Sequence, residues 1–153
     1  MTKCPTCGRS NAQRTDEEHN LLFAVIGAAF DNWPESHAFR PVDTEHLRAW
    51  LQIEVNDVDE FEVPDVLAHD PQQVAQIGLF FTGGKRKFRM VSRGGHVMIL
   101  RPRSLQKTGE GKRDLGEFRV VADAIYLLIE QITGITPESY KREREAARKR
   151  AMS

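Results

Sequence analysis

Two cysteines near the start of the chain have the spacing of half a zinc site. Cys4 and Cys7 are separated by two residues and are followed by Gly8. This spacing allows both thiolates to reach one tetrahedral ion, and the glycine allows the backbone to turn tightly behind them. A structural zinc ion takes four ligands, and the sequence contains no second cysteine pair. Either a second chain completes the site, or the pair is a remnant that binds no metal.

Five histidines are candidates for the missing ligands: His19, His37, His46, His69 and His96. His19 is the nearest to the cysteines, but it falls within a predicted helix. A thioredoxin-like redox role is weaker, because no βαβ pattern surrounds the pair. A structural disulfide is disfavoured, since the chain is expected in a reducing compartment. Zinc at an incomplete site is therefore the one cofactor that the sequence indicates.

A second set of residues could bind phosphate groups because it concentrates positive charge. From Lys85 to Arg113 there are ten bases and one acid. Alternation along an extended strand would place Lys85, Lys87 and Arg89 on one face. The predicted binding residues share positive charge and a place on a β-hairpin or at its ends: Lys85, Lys87, Arg89, Arg93, Arg101 and Arg103. Such a cationic row suits phosphate binding, and an ordinary solvated strand face is the alternative.

An acidic segment precedes the basic one. From Asp43 to Asp70 there are nine acids and one base, so the zero net charge of the chain conceals two charged segments. Its part from Glu54 to Asp70 is interpreted as a solvated loop, as a mimic of nucleic-acid charge, or as a docking site for a basic partner. A divalent metal site is weaker, because the spacing of the acids fits no calcium loop. Its ligands would be Asp57, Asp59, Glu60, Glu62 and Asp65.

Local catalytic motifs are absent from the sequence. Gly83-Gly84-Lys85 lacks the strand–loop–helix frame of a phosphate-binding loop. No nucleophile elbow is present, and the histidines are scattered along the chain. A binding protein is therefore predicted rather than an enzyme.

Four helices are expected around the charged segments: Asp16–Trp33, a segment that opens at Asp43, Leu115–Ile132, and a polar, exposed helix from Thr136 to about Arg150. Thr15 or Asp16 is the expected N-cap of the first helix. Gly134 follows the third predicted helix, at the position where a residue in the left-handed conformation often ends a helix.

Segments that favour β-structure lie between these helices: Leu79–Phe81, Lys87–Val91 and His96–Leu100. The last two flank Gly94-Gly95, which is a hairpin signal. Phe61, Val63 and Val66 are expected in a short strand or in a loop over the core. These elements predict an α+β fold, in which a small antiparallel sheet with a basic hairpin is packed by about three helices. An exposed, charged C-terminal helix completes the fold.

The chain is expected to have three parts. They are a polar extension with the cysteine pair (residues 1–14), an α+β domain (15–135) and a charged helix (136–153). No apolar run approaches the roughly 20 residues that a bilayer crossing needs. The start of the chain also lacks the apolar stretch of a signal peptide. We therefore expect a cytoplasmic protein that does not contact membranes.

The first predicted helix and the residues that follow it resemble a phage protein family. The resemblance rests on Arg14-Thr15, His19-Asn20, Phe23, Phe30-Asp31 and Trp33-Pro34-Glu35. The strand end Arg101-Pro102-Arg103-Ser104, followed by a long apolar helix through Ile132, also matches the layout of the family. These motifs are similar to an uncharacterised phage family and, more distantly, to NinB-like recombination accessory proteins. Those proteins carry Arg-Ser, then Gln-Asn and an aromatic helix. The resemblance covers roughly residues 14–135, and His19 stands where NinB-like proteins have glutamine.

The resemblance implies an α+β phage protein, capable of forming a homodimer, that acts at single-stranded DNA with host replication or recombination proteins. The leading hypothesis is a phage or prophage accessory protein, in the cytoplasm of a bacterial host, that binds single-stranded nucleic acid through the basic hairpin. The alternative is a phage-encoded inhibitor of a host protein or of a CRISPR-type defence complex. The resemblance assigns no DNA-contacting residue, so the binding residues rest on charge alone.

Overall fold

The chain separates into two compact units. The helical unit comprises residues 1–44 and 113–153, and the sheet unit comprises residues 45–112. The structure is a computed structural model, and it describes four ranges of the chain: residues 11–68, 70–81, 87–105 and 114–152. Within these ranges no helix combines the length and the apolar character that a membrane crossing requires.

Six helices and three strands follow one another in the described ranges: α1 (Asn11–Asp31), α2 (Thr44–Glu54), β1 (Val58–Glu62), α3 (Asp65–Ala68), α4 (Pro71–Phe81), β2 (Arg89–Arg93), β3 (His96–Pro102), α5 (Leu115–Thr133) and α6 (Pro137–Met152). The α+β fold predicted from the sequence is confirmed. The hairpin around Gly94-Gly95 and the last two helices are confirmed as well.

The helical unit is held together by the apolar faces of α1 and α5. Apolar residues recur every three or four positions on both helices, which places them on one face of each. The buried ones are Leu22, Val25, Ile26 and Ala29 on α1, and Phe118, Ala122, Ile125 and Ile129 on α5. Helix α6 also contacts α1, but none of its residues is buried, because its sequence is almost wholly polar.

Capping groups fix both ends of α5 and the start of α6. Asp114 Oδ1 accepts a hydrogen bond of 2.8 Å from the backbone N–H of Glu117, in the first turn of α5. Gly134 ends this helix in the left-handed conformation, with a φ of 78°. Thr136 and Ser139 then exchange hydrogen bonds of 2.9 and 3.0 Å between backbone N–H groups and side-chain oxygens. Helix α6 therefore starts from a fixed position after α5.

The sheet unit contains an antiparallel sheet with β3 at its centre, in the order β1-β3-β2. The turn between β2 and β3 has a φ of 60° at Gly94 and 81° at Gly95, and two positive values suit glycine in a tight hairpin. One sheet face belongs to an apolar cluster built on Val63, Val74 and Ile99. The partly buried side chains that pack against it are Phe61, Leu67, Ala68, Ile77, Phe88 and Val97.

Helix α4 comes very close to Phe88 at Gly78. A Cβ atom built on Gly78 would lie under 3.0 Å from three carbon atoms of the Phe88 ring, a distance that real Cβ atoms essentially never show. The glycine therefore makes room for the ring of Phe88 to join the apolar cluster.

Two predictions about helices and strands are wrong. Helix α1 begins at Asn11 and not at Thr15 or Asp16, and the residues in between include Ala12 and Gln13, which are good helix formers. Leu79–Phe81 form the last turn of α4 and not a strand. Helical spacing puts Val74 and Ile77 on the apolar cluster, and this packing outweighs the β-preference of the aromatic residues at the end.

Candidate anion-binding surfaces

The predicted binding residues of the hairpin do not share one face of the sheet. Arg89 lies opposite Leu100 in the strand register, so the two share a face, and Arg93 lies on that face as well. Arg101 follows Leu100 along β3 and therefore lies on the other face, opposite Asp59 of β1. The cationic residues of the two strands are thus divided between the two sides of the sheet.

The remaining predicted binding residues lie beyond the strand ends. Lys87 lies two residues before β2, and Arg103 directly follows β3. The side chain of Arg103 is exposed, while its backbone is held by Asp57 and Gln52 through hydrogen bonds of 3.1 and 2.8 Å. Lys85 lies outside the described residues.

Four of these cations are paired with carboxylates of the acidic segment. Each contact joins a basic nitrogen to a carboxylate oxygen: Lys87 to Glu45 at 2.9 Å, Arg89 to Glu54 at 2.6 Å, Arg93 to Glu60 at 2.8 Å and Arg101 to Asp59 at 3.1 Å. The carboxylates offset much of the positive charge that a phosphate group would meet there. The hairpin therefore presents less free positive charge than its sequence indicates.

Glu45 accepts hydrogen bonds from two basic side chains of this surface. Arg48 donates a hydrogen bond of 2.9 Å to Glu45, and Lys87 donates another of 2.9 Å. The hydrogen bond from Arg48 is the largest cause that lowers the pKa of Glu45 to about 2, against an opposing effect of burial. Glu45 therefore remains charged at neutral pH and neutralises Lys87.

The predicted metal ligands are not brought together in the part of the chain that the structure describes. Cys4 and Cys7 lie outside the described residues. Within those residues, no group of three His, Cys, Asp or Glu side chains could hold a metal ion. The acidic residues of β1 contact basic side chains of β2 and β3, including His96, whose Nδ1 lies 2.8 Å from Glu62 Oε1.

His19, the nearest candidate for a third zinc ligand, lies among aromatic rings of the helical unit. Its ring centroid is 4.6 Å from that of Phe23 and 5.9 Å from that of Phe118. Its Nδ1 atom is buried and has no hydrogen-bond partner among the described residues. Burial lowers the pKa of His19 below its ordinary value of 6.5, because desolvation disfavours the charged ring.

Lowering the pH should therefore destabilise the fold through His19. The unfolded chain binds the proton more readily than the folded chain, so the free energy of unfolding should fall as the pH drops through 6.5. Urea unfolding at about pH 8 and about pH 5.5 measures this loss. A His19→Leu variant should lose less stability between these two pH values than the original chain. Equal losses in both proteins would contradict the assignment.

Helix α6 carries free positive charge in the helical unit. Six bases and two acids lie between Tyr140 and Arg150, and every residue from Lys141 onward in that stretch is exposed. Lys141, Arg144 and Arg148 stand three and four positions apart, so they share one face of the helix. None of these three side chains has an ion pair with another described residue.

A groove of about 620 Å³ runs between this face of α6 and the start of α1. Its lining from α6 consists of Tyr140, Lys141, Arg144, Glu145 and Arg148. Its lining from α1 consists of Glu17, Glu18, Asn20 and Leu21. The Arg119 guanidinium lies 2.6 Å from Glu18 and neutralises that acid. The groove thus has one cationic wall, an aromatic ring and an apolar side chain.

The groove was not predicted from the sequence. The sequence predicts only that the segment of residues 140–150 is part of a polar, exposed and charged helix. The spacing of its bases on one helical face is a signal that the sequence contains. The contact between α1 and α6 joins residues more than a hundred positions apart, and no local pattern indicates it.

Comparisons with known proteins give no match. No protein-family model, no curated protein and no solved structure is similar to this chain. The resemblance to NinB-like phage proteins therefore stays a prediction.

Proposed function

We propose that this chain is a phage or prophage accessory protein that binds single-stranded nucleic acid, and that α6 supplies the main contacts to phosphate. One observation carries the proposal. Lys141, Arg144 and Arg148 project from one exposed helical face without an ion pair among the described residues. Exposed cations of this kind release counterions when they neutralise phosphates, and this release dominates non-specific binding.

The hairpin has a smaller part in this proposal than its charge predicts. Lys87, Arg89, Arg93 and Arg101 each already have a carboxylate oxygen within 3.1 Å. The negative charge of these carboxylates offsets the attraction of the four cations for phosphate. Arg103 is exposed and has no ion pair among the described residues, so it is the hairpin cation that supports binding. A contact between Lys85 and phosphate stays a prediction.

Removing two charges from α6 should weaken binding much more than removing two from the hairpin. In Arg144→Gln/Arg148→Gln, affinity for a labelled single strand should fall roughly 10–30-fold, and the salt slope should decrease by about 1.4. The matched control is Arg93→Gln/Arg101→Gln, which removes the same charge from paired positions and should change the slope by less than about 0.5. Fluorescence anisotropy over about 50–200 mM salt measures both quantities.

Either of two results would overturn the proposal. Absence of binding by the original chain at low salt would remove nucleic acid as the partner. A larger effect of the hairpin pair than of the α6 pair would return the binding site to the hairpin. Circular dichroism of each variant checks that the exposed substitutions leave the helices intact.

A second candidate function is inhibition of a host protein or a CRISPR-type defence complex. The observation that favours it is the mixed charge of the sheet surface, where Arg93 is 56% exposed beside Glu60 and His96 is 52% exposed beside Glu62. A surface with both signs suits a protein partner better than a uniformly anionic strand. Capture from host lysate treated with nuclease distinguishes the two functions. A specific partner that is retained after this treatment supports inhibition, and its loss supports nucleic-acid binding.

A further inference from the structure

The groove between α1 and α6 combines three chemical features in one place. Positive charge comes from Lys141, Arg144 and Arg148 on one wall. An aromatic ring comes from Tyr140 at the start of the same helix, and an apolar side chain comes from Leu21 on the facing wall. A volume of about 620 Å³ lies within the usual range for sites that bind small molecules or parts of a chain.

Tyr140 is well placed to act as a platform. It lies in the first turn of α6, and its backbone N–H donates a hydrogen bond of 2.9 Å to the carbonyl oxygen of Thr136. Thr136 is itself fixed by two hydrogen bonds with Ser139. The ring is half-buried and lines the groove, so little conformational freedom would be lost on stacking.

The charges of the two walls orient a ligand. The cations of α6 attract phosphate, whereas the groove residues from α1 include no basic side chain. Glu18 is held by Arg119 through hydrogen bonds of 2.6 to 3.2 Å, so its charge adds little repulsion. A nucleotide fits this polarity when its phosphate lies on α6 and the edge of its base points towards α1.

We infer that the groove binds one unstacked nucleotide of a single strand, with the base on the Tyr140 ring and the flanking phosphates on Arg144 and Arg148. This inference rests on the proposed function and adds the reason for single-strand preference. In a duplex the faces of the bases are covered by their neighbours, so the ring of Tyr140 has nothing to stack on. The α6 cations alone would bind single strands and duplexes with less discrimination.

The test compares a normal strand with one that has no bases. Fluorescence anisotropy is measured with a labelled thymidine strand of about twelve nucleotides and with an abasic strand of equal length and charge. Tyr140→Leu should weaken binding of the normal strand about fivefold or more and change binding of the abasic strand less than about twofold. Tyr140→Phe retains the ring and should therefore still bind the normal strand more tightly than the abasic strand.

The outcomes separate the groove from the wider function. In one outcome, Tyr140→Leu lowers the affinity for both strands equally, or for neither, while binding still depends steeply on salt. The groove then does not hold a base, but the contacts between phosphate and α6 are still supported. If neither strand binds the original chain at low salt, the proposed function and this inference both fail. Equal affinity of the original chain for the normal and the abasic strand would also overturn the inference.

Discussion

Replacing Gln52 by leucine is expected to lower the free energy of unfolding by about 2–3 kcal/mol, although the two side chains have similar volumes. Gln52 is fully buried, and its Nε2 donates hydrogen bonds of 2.9 Å to Asp57 Oδ2 and 2.8 Å to the carbonyl oxygen of Arg103. Its Oε1 accepts a hydrogen bond from Arg48. One amide thus joins α2, the start of β1 and the end of β3.

The expected cost arises from the groups that remain after the substitution. Asp57 is only 5% exposed, so bulk water has little access to replace the lost donor. A buried charged group that loses a hydrogen bond is more costly than a neutral one. Urea unfolding of Gln52→Leu measures the loss. Gln76→Leu, at an exposed position of α4, is the matched control and should change stability by less than about 0.5 kcal/mol. Equal effects of the two substitutions would contradict a structural role for Gln52.

Gly78→Ala is expected to destabilise the sheet unit by about 1–2 kcal/mol, against the usual benefit of alanine in a helix. In an open helical position this substitution would stabilise by up to about 1 kcal/mol. At Gly78 the new Cβ would overlap the ring of Phe88, and overpacking of this kind costs about 1–3 kcal/mol. The clash exceeds the gain in helix propensity, so the sign of the effect is reversed.

Two further variants check this reasoning. Gly27→Ala, in the interior of α1, is the matched control, because a Cβ there meets nothing within 4 Å and should stabilise the protein. Phe88→Leu removes the ring, so Gly78→Ala should be neutral or stabilising when it is added to Phe88→Leu. Chemical unfolding of the four combinations at positions 78 and 88 gives the coupling between them. Additive effects would show that the two residues do not compete for space.

Local signals in the sequence account for much of the fold. The long apolar period of α5, the glycine after it and the Thr136-Pro137 start of α6 are all contained within a few residues, and each element lies where these signals predict. Helix α4 was missed because its residues include Phe80 and Phe81, which favour strands when taken alone. Its packing on Val63 and Ile99 depends on contacts that no short window contains.

The candidate site was harder to predict. The sequence shows where charges of one sign cluster, but it does not show which opposite charges strand pairing brings next to them. The acidic and basic segments were interpreted as two separate surfaces. The register instead sets Asp59 of β1 against Arg101 of β3, forty-two positions later in the chain. When an acidic and a basic segment have similar lengths, pairing of the two segments in a sheet should be considered first, and two separate binding surfaces second. Positive charge without an ion pair among the described residues, as at Lys141, Arg144 and Arg148, is then the stronger indication of a binding surface.

The sheet unit interrupts the helical unit along the sequence, and this order affects folding during synthesis. The ribosome completes residues 45–112 before α5 exists, so the sheet unit can fold while the chain is still being synthesised. The partner for the apolar face of α1 is synthesised about a hundred residues after α1 itself, a delay on the order of 5–20 s. During that interval Leu22, Val25 and Ile26 are exposed to chaperones and to other nascent chains. Slow translation across the sheet unit would therefore increase aggregation of the protein.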